Sequence, residues 1–378
     1  MQFGLFMYCT VGRREELAVG MAGQNNALYQ RMLDEIAEYA RFADQNGYFG
    51  FGHPEHHLQI EGFEISNDPC LMAMWLGSHS ERMKVITCGF VSTANNPLQT
   101  AEKIATLDHM LQGRFGVGLV RGYQARWVEN YKVRENLNAV GPWNAKSAAD
   151  DLNREYFAEF VEVVVRALSE ETFSHQGQFW NFPPKNFVNP HDHPVYRNYG
   201  RGVDEHMAVS EIGVAPRPYQ DQIPLYGGFS QSLTTAKFWA RYKGRPIILS
   251  DNYEFLRILW QAWTDEAERH GHSVAPGEQA CWGGIMICAE TDAKAQALYE
   301  DMAWFWKTWA TPFGQGVPAL LVGSPDTLNR QIEAAAKAVP IDEAFLLIPQ
   351  GLHDKAQILD SLDLFARKVM PNHGDAPV

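Results

Sequence analysis

The sequence predicts an α/β barrel of the (β/α)8 or TIM type, with insertions after its fourth and seventh strands. Three observations carry this expectation. Eight short apolar runs alternate with segments of helical period, the signature of a parallel sheet. Several runs empty into ionisable or glycine-rich residues, and barrel active sites form at the carboxyl ends of strands. The 378 residues exceed the roughly 250 of a bare barrel and leave room for excursions. An open, doubly wound sheet would share the alternation; the count of eight selects the barrel.

Phe3 to Tyr8 reads as the first strand. Leu28, Met32, Ile36, Tyr39 and Ala43 recur at helical spacing, and Asn46-Gly47 stops that helix. Tyr48 to Gly52 is the second strand. Asp68-Pro69 then pairs a capping side chain with proline at the first helical position, a device repeated at Asn96-Pro97 and Ser324-Pro325. Val85 to Ser92 and Phe115 to Val120 are the third and fourth strands, flanking a helix from Pro97 to Leu111. Asn153 to Leu168 is amphipathic. Pro224–Phe229, Pro246–Ser250, Cys281–Cys288 and Ala344–Pro349 complete the eight strands. Helices fit at Ser232–Tyr242, Asn252–His270, Asp326–Ala338 and Asp354–Val369. The chain reads as one domain, 1–378, interrupted by excursions at 172–222 and 291–322. The first is rich in Pro, Asn, His and Gly; the second carries Trp304, Phe305, Trp306, Trp309 and Phe313.

Composition narrows the function. Apolar residues make up 46%, enough for a large packed interior. Lys plus Arg number 32 against 45 Asp plus Glu, a net charge of −13 that repels nucleic acid and anionic membranes. The five cysteines are scattered, with no C-x-x-C, which suits reduced thiols. Met1 to Tyr8 lacks the basic lead and long apolar core of a signal peptide, and no apolar run approaches the roughly 20 residues of a membrane span. A soluble, cytoplasmic protein is expected.

Two strand ends carry chemistry. Gly52-His53-Pro54-Glu55-His56-His57 ends an apolar run on four ionisable side chains, and Phe115 to Val120 ends on Arg121-Gly122. Together they suggest acid–base work beside an anion. The ordered set Glu55-His56-His57, Asn67-Asp68-Pro69, Asn96-Pro97, Leu107-Asp108, Gly113-Arg114-Phe115 and Arg121-Gly122 resembles the bacterial luciferase-like flavin monooxygenases. The resemblance resumes at Phe179-Trp180-Asn181-Phe182, at Pro224 to Ser230 and at Gly323-Ser324-Pro325. It implies reduced flavin mononucleotide (FMN), supplied by a separate flavin reductase, at the carboxyl face of a barrel. With O2 this would give a C4a-peroxyflavin that oxygenates a small organic substrate, whether aromatic, N-heterocyclic or carbonyl-bearing. It also implies a homodimer.

Residue roles follow from the resemblance and are weighed against plainer ones. His56 aligns with a histidine beside the flavin ring, and an imidazole titrates near neutral pH; the alternative is a histidine bonding backbone at a strand end. His57 has the same two readings. Glu55 either holds an imidazole tautomer, bonds the flavin or anchors the loop. Arg121 stands where the family binds the flavin phosphate, a task suited to guanidinium; the alternative is a surface salt bridge. Gly227, Gly228 and Ser230 suit a phosphate approached by backbone and a hydroxyl, or simply a turn. Luciferase has an acidic residue in this region, so the register stays open. Cys88-Gly89 falls where luciferase has a non-proline cis peptide, the alternative being an ordinary strand. Luciferase carries a cysteine near the flavin where this chain has Val120, so no reactive thiol is inferred. The aromatics from Trp304 to Phe313 suit a substrate pocket, a dimer surface or plain core. His191-Asp192-His193 lacks further matched ligands, and no metal site is assigned.

Three other functions stay open at this point. One is a deazaflavin-dependent hydride-transfer enzyme. Another is a metal-dependent hydrolase using His53, Glu55, His56 and His57. The last is a non-catalytic flavin binder or inert partner subunit.

Overall fold

The computed structural model describes residues 1–229 and 232–374. Its strands are β1 (Gln2–Phe6), β2 (Gly50–His53), β3 (Lys84–Val91), β4 (Phe115–Val120), β5 (His175–Gln176), β6 (Asn181–Phe182), β7 (Leu225–Gly227), β8 (Arg245–Ile248), β9 (Cys281–Cys288), β10 (Leu320–Gly323) and β11 (Glu343–Leu347). The order β11-β1-β2-β3-β4-β7-β8-β9 closes on itself, because β9 pairs in parallel with both β8 and β11. This is the expected barrel of eight parallel strands with helices between them.

Three strands were not foreseen, the short β5 and β6 within the first excursion and β10. β10 pairs with the carboxyl half of β9, from Leu320 opposite Ile285 to Gly323 opposite Cys288. A run this short, directly before the Ser324-Pro325 helix start, reads in sequence as the tail of the excursion. Strand limits also moved. β2 begins at Gly50 because Tyr48 is committed elsewhere, its amide to Ala43 and its hydroxyl to the carbonyl of Leu362.

The chain forms two compact units. The first comprises Met1–Phe90, Arg114–Leu119 and Pro224–Val378. Strand residues Leu5, Phe51, Val85, Phe115, Val117, Ile247, Ile285 and Leu346 are fully buried in it. Close strand packing demands glycine at one point: a Cβ on Gly89 would lie 2.0 Å from the carbonyl oxygen of Gly118. At the amino end of the strands, the Tyr226 hydroxyl donates to Glu343 (2.9 Å), and Arg245 pairs with Glu343 (3.2 Å) and Asp342 (2.5 Å). Burial raises the Glu343 pKa despite that neighbouring guanidinium.

The capping residues behave as their chemistry dictates. Asp68 accepts from the amides of Cys70 and Leu71, and Asn96 from those of Leu98 and Gln99. Ser324 makes no side-chain cap bond; its amide donates to Asp292 instead (2.7 Å). In the second excursion, helix Asp292–Phe305 runs into a π-helical turn at Trp306–Ala310.

The second unit comprises Val91–Gly113 and Val120–Ile223. Helix Pro97–Met110 packs on helix Ala148–Ser169 through Ala101, Val163, Ala167 and Phe173. The latter helix starts earlier than its hydrophobic period alone suggests, because Ser147 caps it by accepting from the Asp150 amide. The excursion at 172–222 lies in this unit and holds the β5–β6 hairpin. Glu159 anchors the hairpin turn by accepting from the amides of Gln178, Phe179 and Trp180. All five cysteines are free thiols, and no helix among the described residues is long and apolar enough to cross a membrane.

Candidate active site

In the first unit, β2 delivers the ionisable run to the carboxyl ends of the strands. His53 closes β2 and is fully buried, with Nδ1 3.2 Å from the Pro54 carbonyl. Desolvation pulls its pKa down to about 4, so it is neutral at physiological pH. Its Nε2 has no partner among the described residues, nor does the buried hydroxyl of Thr87, its register partner on β3. Directly after Thr87, the Cys88-Gly89 peptide is cis. Burial raises the Cys88 pKa, which keeps a thiolate from forming there.

The two adjacent histidines are held differently. His57 Nε2 lies 3.0 Å from Glu55. His56 donates its amide to the Ser66 carbonyl (2.9 Å), and its ring Nδ1 faces Glu64 at 3.6 Å. Ser66 in turn donates its hydroxyl to the Pro54 carbonyl (2.6 Å), tying the loop to the end of β2.

Aromatic rings cluster on the same strand ends. Tyr8, just past β1, meets Phe229 (6.3 Å between centroids), Phe305 (5.6 Å) and Trp306 (5.9 Å). Phe63 stacks on Trp309 at 5.0 Å and 9°. The aromatic segment of the second excursion therefore packs onto the β1 and β2 loops.

The structure gives Gly227 a packing role: a Cβ there would come within 2.2 Å of Trp239 Nε1. Gly228 follows in the turn. The next helix begins at Leu233 and is capped by Ser232, which accepts from the Thr235 amide. Ser230 lies outside the described residues.

Arg121 belongs to the second unit. Its Nη1 donates to Asp150 (2.6 Å), and its carbonyl accepts from the Thr93 hydroxyl (3.2 Å). Asp150 is itself buried and accepts further bonds from the Lys146 amide (3.1 Å) and from Nε and Nη2 of Arg154 (3.1 Å each). Burial opposes ionisation of Asp150, but these donors outweigh it and hold the pKa below the usual carboxylate range. One ion-pair bond orients the Arg121 fork while using only part of its five donors. The side chain is 30% exposed.

Sequence reasoning missed Glu64, Tyr8 and Asp150. For Asp150 there was a signal, the capping pattern Ser147-x-x-Asp150. His191-Asp192-His193 disperses: Asp192 pairs with Arg197 (3.0 Å) and His193 stacks on Tyr196 (4.7 Å). Among the described residues, no group of three or more His, Cys, Asp or Glu side chains is placed to hold a metal ion.

A closed parallel barrel with imidazoles and carboxylates at its strand ends defines the α/β-barrel class of enzymes. The chain belongs to the luciferase-like monooxygenase family, whose profile matches residues 1–369. It is similar to 3,6-diketocamphane 1,6-monooxygenase of Pseudomonas putida, with 20% identity over 87% of this chain and 90% of that one. It is also similar, over 41% of its length and 38% of the relative's, to the oxygenase component of the flavin-dependent trigonelline monooxygenase of Acinetobacter baylyi, at 23% identity. In fold it matches the oxygenating constituent of the P. putida 3,6-diketocamphane monooxygenase, solved in complex with FMN, with a TM-score of 0.73 at 18% identity over 98% of both chains.

Proposed function

We propose that this protein is the oxygenase component of a two-component flavin-dependent monooxygenase, taking reduced FMN from a separate flavin reductase and using O2 to oxygenate a small organic substrate. The observation that carries this reading is the pair of strand-end histidines, each facing its own carboxylate, under an aromatic cover. The relatives support it, being named as monooxygenases and, in two cases, as oxygenase components or constituents. Those names favour oxygen chemistry over hydride transfer to a deazaflavin.

The residues fit the group. The Arg121 fork, held by Asp150, suits a phosphate. The unpartnered His53 Nε2 and Thr87 hydroxyl, side by side in register next to Cys88-Gly89, suit the polar edge of a flavin ring. When bound, reduced FMN supplies the two electrons by which one oxygen atom enters the substrate and the other leaves as water. His56 would give or take the accompanying proton at Nε2, the ring nitrogen away from Glu64. His57, fixed by Glu55, assists in orienting the reacting groups. Tyr8, Phe63, Phe229, Trp306 and Trp309 exclude water and favour a flat or apolar substrate, aromatic, N-heterocyclic or carbonyl-bearing.

The test supplies reduced FMN from any flavin reductase and screens such compounds for coupled oxygen use. Oxygen consumed in proportion to product supports the proposal. Turnover with a reduced deazaflavin in the absence of O2 would replace it.

A further inference from the structure

We propose that Arg14 is a specificity-determining residue that selects a flat aromatic substrate bearing a carboxylate. This rests on reading the strand ends as an oxygenase site under an aromatic cover. Arg13 and Arg14 stand together where the loop after β1 enters the short helix Arg14–Ala18, and the fold uses them differently. Arg13 is committed to structure: its Nε donates to Asp354 (3.1 Å), its Nη1 to the Gly351 carbonyl (2.9 Å) and its Nη2 to Glu35 (2.8 Å). The Arg14 guanidinium has no hydrogen-bond partner among the described residues. Its ion-pair neighbour, Asp301, stands 4.0 Å away, and both side chains are exposed. An exposed pair at that distance contributes little and yields readily to a better-placed carboxylate.

What holds Arg14 is an aromatic ring. Its guanidinium carbon lies 5.2 Å from the centroid of Trp304, a cation–π contact that steadies the head group and spends none of its N–H donors. Trp304 meets Phe63 (5.8 Å between centroids), Phe63 meets Phe305 (5.8 Å), and Phe305 meets Tyr8 (5.6 Å). The rings therefore run without a break from Tyr8, just past β1, to the guanidinium of Arg14.

The chain carries a net charge of −13, so its surface as a whole repels anions. A cation with unspent donors at the edge of an aromatic array reverses that preference locally. Aromatic faces accept a flat ring. The guanidinium fork accepts a carboxylate through two parallel hydrogen bonds, a geometry that a lysine does not reproduce. The two requirements together describe an aromatic or N-heterocyclic carboxylate, a narrower class than flat or apolar compounds at large.

Calorimetric titration of the full chain without cofactor tests this, with benzoate against benzamide and nicotinate against nicotinamide, pairs of nearly one shape that differ in charge. The carboxylates are expected to bind more tightly than the amides. In Arg14→Gln, carboxylate binding should weaken roughly tenfold to a hundredfold, the scale of a lost hydrogen bond to a charged group, and the preference should vanish. Arg14→Lys restores the charge without the fork and recovers part of it. Carboxylates bound no better than amides, binding of neither, or a preference that survives in a folded Arg14→Gln overturns the proposal. With reduced FMN and O2, Arg14→Gln raises KM for the carboxylate at little change in kcat, the signature of lost binding energy and not of lost chemistry; an unchanged KM also overturns it. If the wild-type chain binds the carboxylates through Arg14 yet uses no oxygen with reduced FMN, the oxygenase reading fails while the selection of carboxylates by Arg14 stands.

Discussion

A single carboxylate, Asp150, organises the cationic corner of the second unit. It accepts from Arg121, Arg154 and the Lys146 amide, and it stands in the first turn of its helix, where negative charge is favoured. Replacing Arg121 with alanine should weaken reduced-FMN binding by about 1.5–3 kcal/mol, the scale of a hydrogen bond to a charged group. Anaerobic titration measures this, and unchanged affinity would remove Arg121 from the site. Asp150→Asn should weaken binding by a smaller amount in the same titration, since the fork stays but loses its fixed orientation; a loss as large as that of Arg121→Ala would mean that Asp150 does more than orient. His53 gives a prediction about pH. Its folded pKa of about 4 lies below the ordinary 6.5, so between those values the unfolded chain binds more protons. Stability should therefore fall on acidification, by about 2–3 kcal/mol between pH 7 and 4.5 from this group. Urea unfolding at both pH values should show that part of the slope missing in His53→Asn; the same slope in the variant would contradict neutral burial. Sequence made Glu55, His56, His57 and Arg121 visible because they crowd strand ends. It did not reveal Glu64, whose inward direction depends on a left-handed backbone that no local residue preference announces.

At the scale of the element, the strand runs were legible because buried parallel strands are nearly continuous apolar segments, and the helix starts because Asp68-Pro69 and Asn96-Pro97 have a physical meaning. Asp68→Ala should cost about 1 kcal/mol through its two lost cap bonds. Chemical denaturation checks this, and an unshifted midpoint would show the cap to be redundant. β10 escaped because four residues give no period, and its identity comes from pairing with β9. The contact between β3 and β4 is the least forgiving. A Cβ at Gly89 would press to 2.0 Å on the Gly118 carbonyl, so Gly89→Ala should lose more than about 4 kcal/mol or fail to fold. A melting temperature equal to wild type would show that the strands can separate freely there.

At the scale of the whole molecule, a closed parallel barrel carries imidazoles and carboxylates at its strand ends. The fold was readable because strand number and alternation survive small errors in boundaries. The substrate was not, because aromatic side chains such as Trp306 and Trp309 serve pocket, core and interface alike. The family resemblance carries the expectation of a homodimer, and light scattering should return twice the 42.7 kDa chain mass; a single chain mass would contradict it. The most direct test of the account is the stoichiometry of oxygen uptake against product with reduced FMN, in the wild type and in His56→Ala. Close to one oxygen per product in the wild type is predicted, with His56→Ala still binding reduced FMN but diverting oxygen to hydrogen peroxide. A wild-type chain that leaves the oxidation of reduced FMN as it is in buffer, or a His56→Ala variant coupled as tightly as wild type, would contradict it.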